Sequence, residues 1–277
     1  MANFRIVPVK LSLSATLTAS PAMAGAHPVT RLQAWNRLPA RTTGTADQQI
    51  LGSWQTPDWI NCVVLWRHNL TAAATWRLEL FSGADQSGER LYDSGVVQAN
   101  PPAALGDLDW GVDPLGATLF DDWALAYSVM WFERVAAISY RLTLSDPGNP
   151  AGYLEAAYLV VDRYREVATN MDYGLNLTWR DNAKQTRTAG GTVRTDGALA
   201  WREMTLSLSH LEEQERPHFA EIARTIGRRG GVFVSGYPES GGAKERDHCF
   251  LGLIEEGGGL THNRYANHAT TYTLTET

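Results

Sequence analysis

Apolar and polar positions alternate along much of this chain, most sharply in residues 60–81, INCVVLWRHNLTAAATWRLELF. An apolar run over 60–66 gives way to Arg67, His68 and Asn69, after which Trp76, Leu78 and Leu80 alternate with Arg77 and Glu79. A period of two sends alternate side chains to opposite faces of a strand. The unbroken run 62–65 fits a strand covered on both faces. Together these segments predict two central strands of a β-sandwich, with His68 an ordinary polar residue at a strand end.

The same pattern predicts further strands over 4–9, 11–18, 50–54, 90–97, 135–144 and 153–161, with a turn at Thr56, Pro57 and Asp58 between the third of these and the central pair. Residues 82–89, rich in Gly, Asp and Ser, read as a hairpin loop. Residues 98–116 hold three prolines and three glycines around Trp110, a long loop of the kind that is often functional. From Asp162 the texture becomes polar. Strands are predicted over 202–209, 231–235, 248–254 and 265–274. One amphipathic helix is expected, with Pro217 in its first turn, Phe219, Ile222, Ala223 and Ile226 on one face, and Gly227 as its stop. The shift at 162 divides the chain into domains 1–161 and 162–277, with the helix near 213–227.

Composition narrows the function classes. The chain has 277 residues, 44% hydrophobic, with ten tryptophans, which is ample material for buried cores. A net charge of −6 argues against nucleic acid as a partner. No apolar run reaches the ~20 residues that span a bilayer. Cys62 and Cys249 each sit in an apolar strand and read as buried thiols. Residues 1–26 carry Arg5, Lys10 and an Ala22-Met23-Ala24 stretch, but Leu11, Leu13 and Leu17 alternate with Ser and Thr, a strand pattern rather than a signal peptide.

Candidate chemistry is sparse. Nucleophile-elbow, Walker, zincin and dinucleotide-binding motifs are all missing from the sequence. His248, His262 and His268 do not have the spacing of a structural zinc site. The carboxylate pairs Asp121-Asp122, Glu212-Glu213 and Glu255-Glu256 are sequence neighbours, which strand geometry turns to opposite faces, whereas glycoside hydrolysis needs facing carboxyls. Asp121 and Asp122, beside Trp123 and near Trp110, form the most suggestive cluster: a sugar site with aromatic platforms, or a solvated loop beside buried rings. Arg187, Arg194, Arg202, Arg228 and Arg229 read as a basic, solvated face.

The order of features resembles a known family. ATLTAS at 15–20, PVTRL at 28–32, QILG at 49–52, VLWRHNL at 64–70, ATWRLEL at 74–80 and LYDSG at 91–95 look like the N-terminal discoidin-like (galactose-binding-like) sandwich of tail proteins from tailed bacteriophages. GYLEAAYLV at 152–160 resembles the strand that closes that sandwich, Tyr173-Gly174 the linker after it, and WREMTLSL at 201–208 the β-rich half of the same tail-tip and baseplate proteins. The resemblance implies a mainly β chain: a discoidin-like, jelly-roll β-sandwich followed by a smaller β-rich α+β domain with one helix. It implies a structural virion component of the tail tip or baseplate, made in the host cytoplasm, with other tail subunits as partners in a three- or six-fold ring. No catalytic residue, cofactor or metal carries over. The alternative is a carbohydrate-binding module that contacts host glycan, and a glycan hydrolase ranks third. Trp110, Asp121, Asp122 and Trp123 are the candidate interface or glycan-contact residues. Trp131 and Tyr173 join Trp110 and Trp123 as candidate anchors. The loops 82–89 and 98–122 are the sugar-binding loops by position.

Overall fold

The computed structural model describes residues 2–277 apart from Asn36, Arg37, Leu115, Asp122, Ala124, Leu125 and Ala198. It is mainly β and divides into two compact units, residues 9–164 and residues 1–8 with 165–277.

The first unit is a β-sandwich built on two long strands, Gln48–His68 and Tyr127–Ser145. Each is interrupted near its middle and has different outer neighbours on the two sides of the break. The first half of Gln48–His68 pairs with Thr16–Ser20 and with the second half of Tyr127–Ser145; its second half pairs with Glu155–Asp162 and with the first half of Tyr127–Ser145. Register shifts between Ser53 and Asp58 and between Ile60 and Cys62 mark the break. The expected turn at Thr56, Pro57 and Asp58 is therefore extended chain. Pro57 sits where the ladder is interrupted, so its missing N–H costs no sheet hydrogen bond. Gly52 faces Tyr140 across the same ladder, and a Cβ there would lie 2.2 Å from the buried tyrosine ring. Residues 11–14, expected as strand, form one helical turn, and the strand starts at Thr16.

The core lies between the layers. Trp76, Leu78 and Leu80 meet Tyr140, Leu142, Leu144, Val63 and Leu65, as period-two alternation predicts. The run 60–66 is buried on both faces. Its outer side carries rings: Tyr127 stacks on Trp66 at 5.3 Å, and on the neighbouring strand Trp35 packs tilted against Tyr158 at 5.0 Å.

The second unit is built on an antiparallel sheet in the order Arg165–Glu166, Arg5–Pro8, Gly231–Ser235, Cys249–Gly257, Asn267–Glu276, Trp201–Glu212, Asn176–Arg180, with Thr261–Arg264 also paired to Asn267–Glu276 and a separate hairpin of Gln185–Arg187 with Val193–Thr195. Residues 5–8, expected among the opening strands of the sandwich, pair in this sheet instead. Phe4, Ile6 and Val7 are fully buried there. The helix Arg216–Thr225 has Pro217 in its first turn and buries Phe219 and Ile222, with Phe219 at 6.4 Å from the Tyr272 ring; Gly227 closes it at φ 50°. A second short helix, Gly242–Asp247, was not expected from the pattern. Among the described residues no helix is long and apolar enough to cross a membrane.

Candidate functional site

Strand register fixes which loops of the sandwich share an end. Thr75 pairs with Gln98 and Ser145, whereas Phe81 pairs with Arg90 and Ser139. Residues 99–126 therefore leave one end of the strand Thr75–Phe81, and residues 82–89 sit at the other, about 20 Å away at the usual strand rise. The two loops that position alone suggested as a shared sugar site do not converge. Loop 82–89 is tied to its own end: Ser139 donates to the Gly83 carbonyl at 2.6 Å, and Gln86 Nε2 donates to the Tyr140 carbonyl at 3.2 Å.

At the other end, turns 42–47, 69–74 and 146–154 gather around the base of the long loop and are knit by buried polar groups. Asp146, fully buried, accepts the Thr71 amide at 2.9 Å, the Thr71 hydroxyl at 2.8 Å and the Asn149 side-chain amide at 2.9 Å. The same Asn149 amide donates to the Asn69 carbonyl at 2.8 Å. His68, expected as a solvated strand end, is buried beside them. Its Nδ1 accepts the Leu70 amide at 3.2 Å, so the proton is on Nε2, which donates to Ser128 Oγ at 2.8 Å. Ser128 in turn donates to the Ala99 carbonyl. Burial pushes the His68 pKa down to about 4, against the pull of nearby Asp146. Asn100 Nδ2 donates to the Leu70 carbonyl at 3.1 Å, which fixes the root of the long loop.

Beyond this root the loop closes on itself through the bridge between Pro102 and Thr118 and the Ala103 amide on the Ala117 carbonyl at 2.9 Å. Its tip presents apolar surface to solvent: Trp110 is 81% exposed, Val112 80% and Leu105 60%. Asp107 and Asp109 are exposed beside them. Asp113 accepts the Asp109 amide at 2.8 Å and shapes the tip turn.

The sequence candidates thus separate. Trp110 stands in solvent at the tip. Trp123 is half-buried and packs at 6.4 Å on Phe120, which meets Tyr127 edge-on at 5.0 Å, so it anchors the end of the loop. Asp121 is exposed and accepts the Thr118 hydroxyl within a turn. Asp122 lies outside the described residues. Of the other anchors, Trp131 is half-buried edge-on to Tyr164 at 5.2 Å, and Tyr173 is fully exposed.

The three candidate histidines do not meet at one point. His262 stacks on His268 at 4.8 Å, His268 Nε2 lies 2.8 Å from Glu213 Oε2, and His248 packs edge-on to Tyr237. Among the described residues no group of three or more His, Cys, Asp or Glu side chains is placed to hold a metal ion. Arg202 does not belong to a basic face. It is fully buried against Glu276.

No protein-family model matches the chain, and no curated protein matches it. Among solved structures, it is similar to the family 32 carbohydrate-binding module of C. perfringens NanJ in complex with galactose, at 11% identity over 58% of this chain and 99% of that one, with a TM-score of 0.38. It is similar also to chitosan-binding module 1 of a Paenibacillus sp. IK-5 chitosanase/glucanase, at 14% identity over 55% of this chain and 98% of that one, TM-score 0.37. A third is a Streptococcus pneumoniae fucose binding module, at 10% identity over 56% of this chain and 96% of that one, TM-score 0.37.

Proposed function

We propose that the first unit is a non-catalytic carbohydrate-binding module whose ligand contact is the tip of the loop 99–126. The observation that carries this reading is Trp110, an indole 81% exposed on a loop whose root is held by buried hydrogen bonds. A flat aromatic ring held out by a rigid scaffold suits stacking on the apolar face of a sugar ring. Exposed Asp107 and Asp109 beside it supply acceptors for sugar hydroxyls. On this reading the ligand is held and not transformed.

The test is binding of the full chain to a panel of neutral oligosaccharides by calorimetry. Trp110→Ala is expected to weaken binding at least about tenfold, the loss of one stacked ring, with an unchanged melting temperature because the ring is exposed. Lack of binding to every neutral saccharide at millimolar concentration, or full binding by the variant, overturns the reading.

A second reading keeps the chain as a structural subunit of a bacteriophage tail tip or baseplate. It is favoured by the apolar groups that the second unit turns to solvent, Tyr173, Trp179, Val193 and Tyr265. Light scattering of the purified chain tests it. A three- or six-fold ring supports it, and a monomer at every concentration removes it.

A further inference from the structure

The outer face of the sandwich carries a groove of about 400 Å³, and none of its described lining residues belongs to the loop 99–126. Strand register builds its floor. Thr143 stands between Gln49 and Arg77 on the neighbouring strands, Arg141 stands opposite Glu79, and Ser145 opposite Thr75. These positions alternate with Trp76, Leu78, Leu142 and Leu144, which point into the core.

One half of the groove is charged. Asp93 accepts Arg77 through two bonds of 2.8 and 2.6 Å and lies 3.0 Å from Arg90. Glu79, only 6% exposed, accepts Arg90 at 3.0 Å and lies 3.5 Å from Arg77. The Arg77 guanidinium holds the Asp93 carboxyl down at about 2. Arg141 is the least satisfied of the three cations. It reaches Glu79 through Nη1 alone at 3.4 Å, its buried Nε meets no acceptor, and its plane lies over the Phe81 ring at 5.4 Å. Three guanidiniums share two carboxylates in this half, and Arg141 is the one left with a spare donor. The other half offers Thr75, Thr143, Ser145 and Gln49, with Asp47, beside Glu79 an acid of the lining, in the turn that precedes the strand Gln48–His68.

We infer that this groove binds an acidic saccharide, with Arg141 taking the sugar carboxylate and the Thr143, Ser145 and Gln49 side chains taking the hydroxyls. A guanidinium matches a carboxylate with two parallel bonds, and an incompletely paired one in a partly desolvated groove gains most from such a partner. The row of hydroxyl and amide groups, set on strands about 4.8 Å apart, suits a polyhydroxylated chain better than a bare inorganic anion. The inference stands apart from the role of Trp110, so the failure of one leaves the other undecided.

The test is a nuclear magnetic resonance titration of the full chain with trigalacturonate, its methyl ester and inorganic sulfate. Trigalacturonate is expected to shift the amides of Arg77, Arg141, Thr143 and Ser145 saturably, and to do so in Trp110→Ala as well. Esterification, or Arg141→Gln, is expected to weaken binding by about tenfold or more, as loss of a hydrogen bond to a charged group does. Thr143→Trp, which fills the groove and leaves the ion pairs in place, is expected to abolish binding and keeps the test open should Arg141→Gln fail to fold. Shifts that map elsewhere, equal binding of the ester, or binding indifferent to both substitutions overturn the inference. So does sulfate moving the same amides as strongly as the saccharide.

Discussion

Protonating His68 at Nδ1 would remove the acceptor on which the Leu70 amide depends, and would place a cation where burial leaves it without water. Its pKa of about 4 in the folded chain compares with 6.5 for a free imidazole. Between these values the unfolded chain takes up a proton that the folded chain refuses. The histidine's share of stability is therefore complete above pH 6.5 and is lost as pH falls toward 4, by about 3 kcal/mol in all. Asp162 works in the opposite sense. Burial pushes its carboxyl up to about 6, against the amides of Arg163, Lys10, Leu11 and Ser12 that favour its charge. Its contribution is present below pH 3.8 and is lost as pH rises through 6. Because the two slopes oppose, wild-type stability alone does not isolate either. Urea unfolding of wild type and His68→Gln at pH 7 and pH 4.5 does. The variant is expected to be less stable at pH 7, by about 1–3 kcal/mol for the lost buried bonds, and the gap is expected to close by most of that amount at pH 4.5. A gap of constant size would show that His68 does not titrate in this way. The sequence carried no sign of this role. A histidine after an arginine at a strand end is normally solvated, and what buries this one is the return of residues 99–100 and 126–128 from far along the chain.

The strand Trp201–Glu212 shows a signal that was present in the sequence. Met204, Leu206 and Leu208 are buried, and period two puts Arg202 on that same face rather than among surface arginines. The last strand has the same frame: Glu276 shares its face with Leu274 and Tyr272. The guanidinium meets the carboxylate with two bonds, Nη2 to Oε1 at 2.6 Å and Nε to Oε2 at 3.0 Å. Its remaining Nη1 donates to the carbonyls of Arg246 at 2.7 Å and Cys249 at 3.0 Å, closing the chain end of the short helix Gly242–Asp247. Arg202→Met leaves Glu276 buried without its partner and is expected to cost about 3–5 kcal/mol. The double variant Arg202→Met with Glu276→Leu is expected to recover a large part of that loss, since no charge then stays stranded. Denaturant unfolding of the three variants decides it. A double variant as damaged as the single would mean that the carbonyl contacts, and not the ion pair, are what the arginine supplies. Register arguments of this kind also made the strands of the sandwich legible. The helical turn at 11–14 was not, because a single turn does not disturb the apolar alternation around it; at 56–58 the sequence marked a break, but not that the chain stays extended through it.

At the scale of the molecule, the chain's first strand belongs to the unit that its last hundred residues build. Arg5–Pro8 lies between Gly231–Ser235 and Arg165–Glu166, paired over four residues with the former. Arg5 adds ion pairs to Glu166 at 2.9 Å and Glu239 at 2.7 Å. Order along the sequence could not reveal this, since nothing in residues 4–9 names a partner more than 200 positions away. The consequence is an asymmetry in how the two units respond to truncation. Removing residues 1–8 strips Phe4, Ile6 and Val7 from one core, each worth about 1.5–3 kcal/mol of burial. That sum is comparable with the 5–15 kcal/mol that holds a whole domain together. The sandwich, residues 9–164, loses nothing from its own core. Hydrogen exchange read by mass spectrometry on the truncated chain is therefore expected to show amides 231–235 and 249–257 exchanging by a thousandfold or more faster, the effect of about 4 kcal/mol, while amides 60–66 and 76–80 keep their protection. Equal loss of protection in both sets would mean that the two units fold as one cooperative block. Unchanged protection at 231–235 would mean that the first strand contributes little to its sheet.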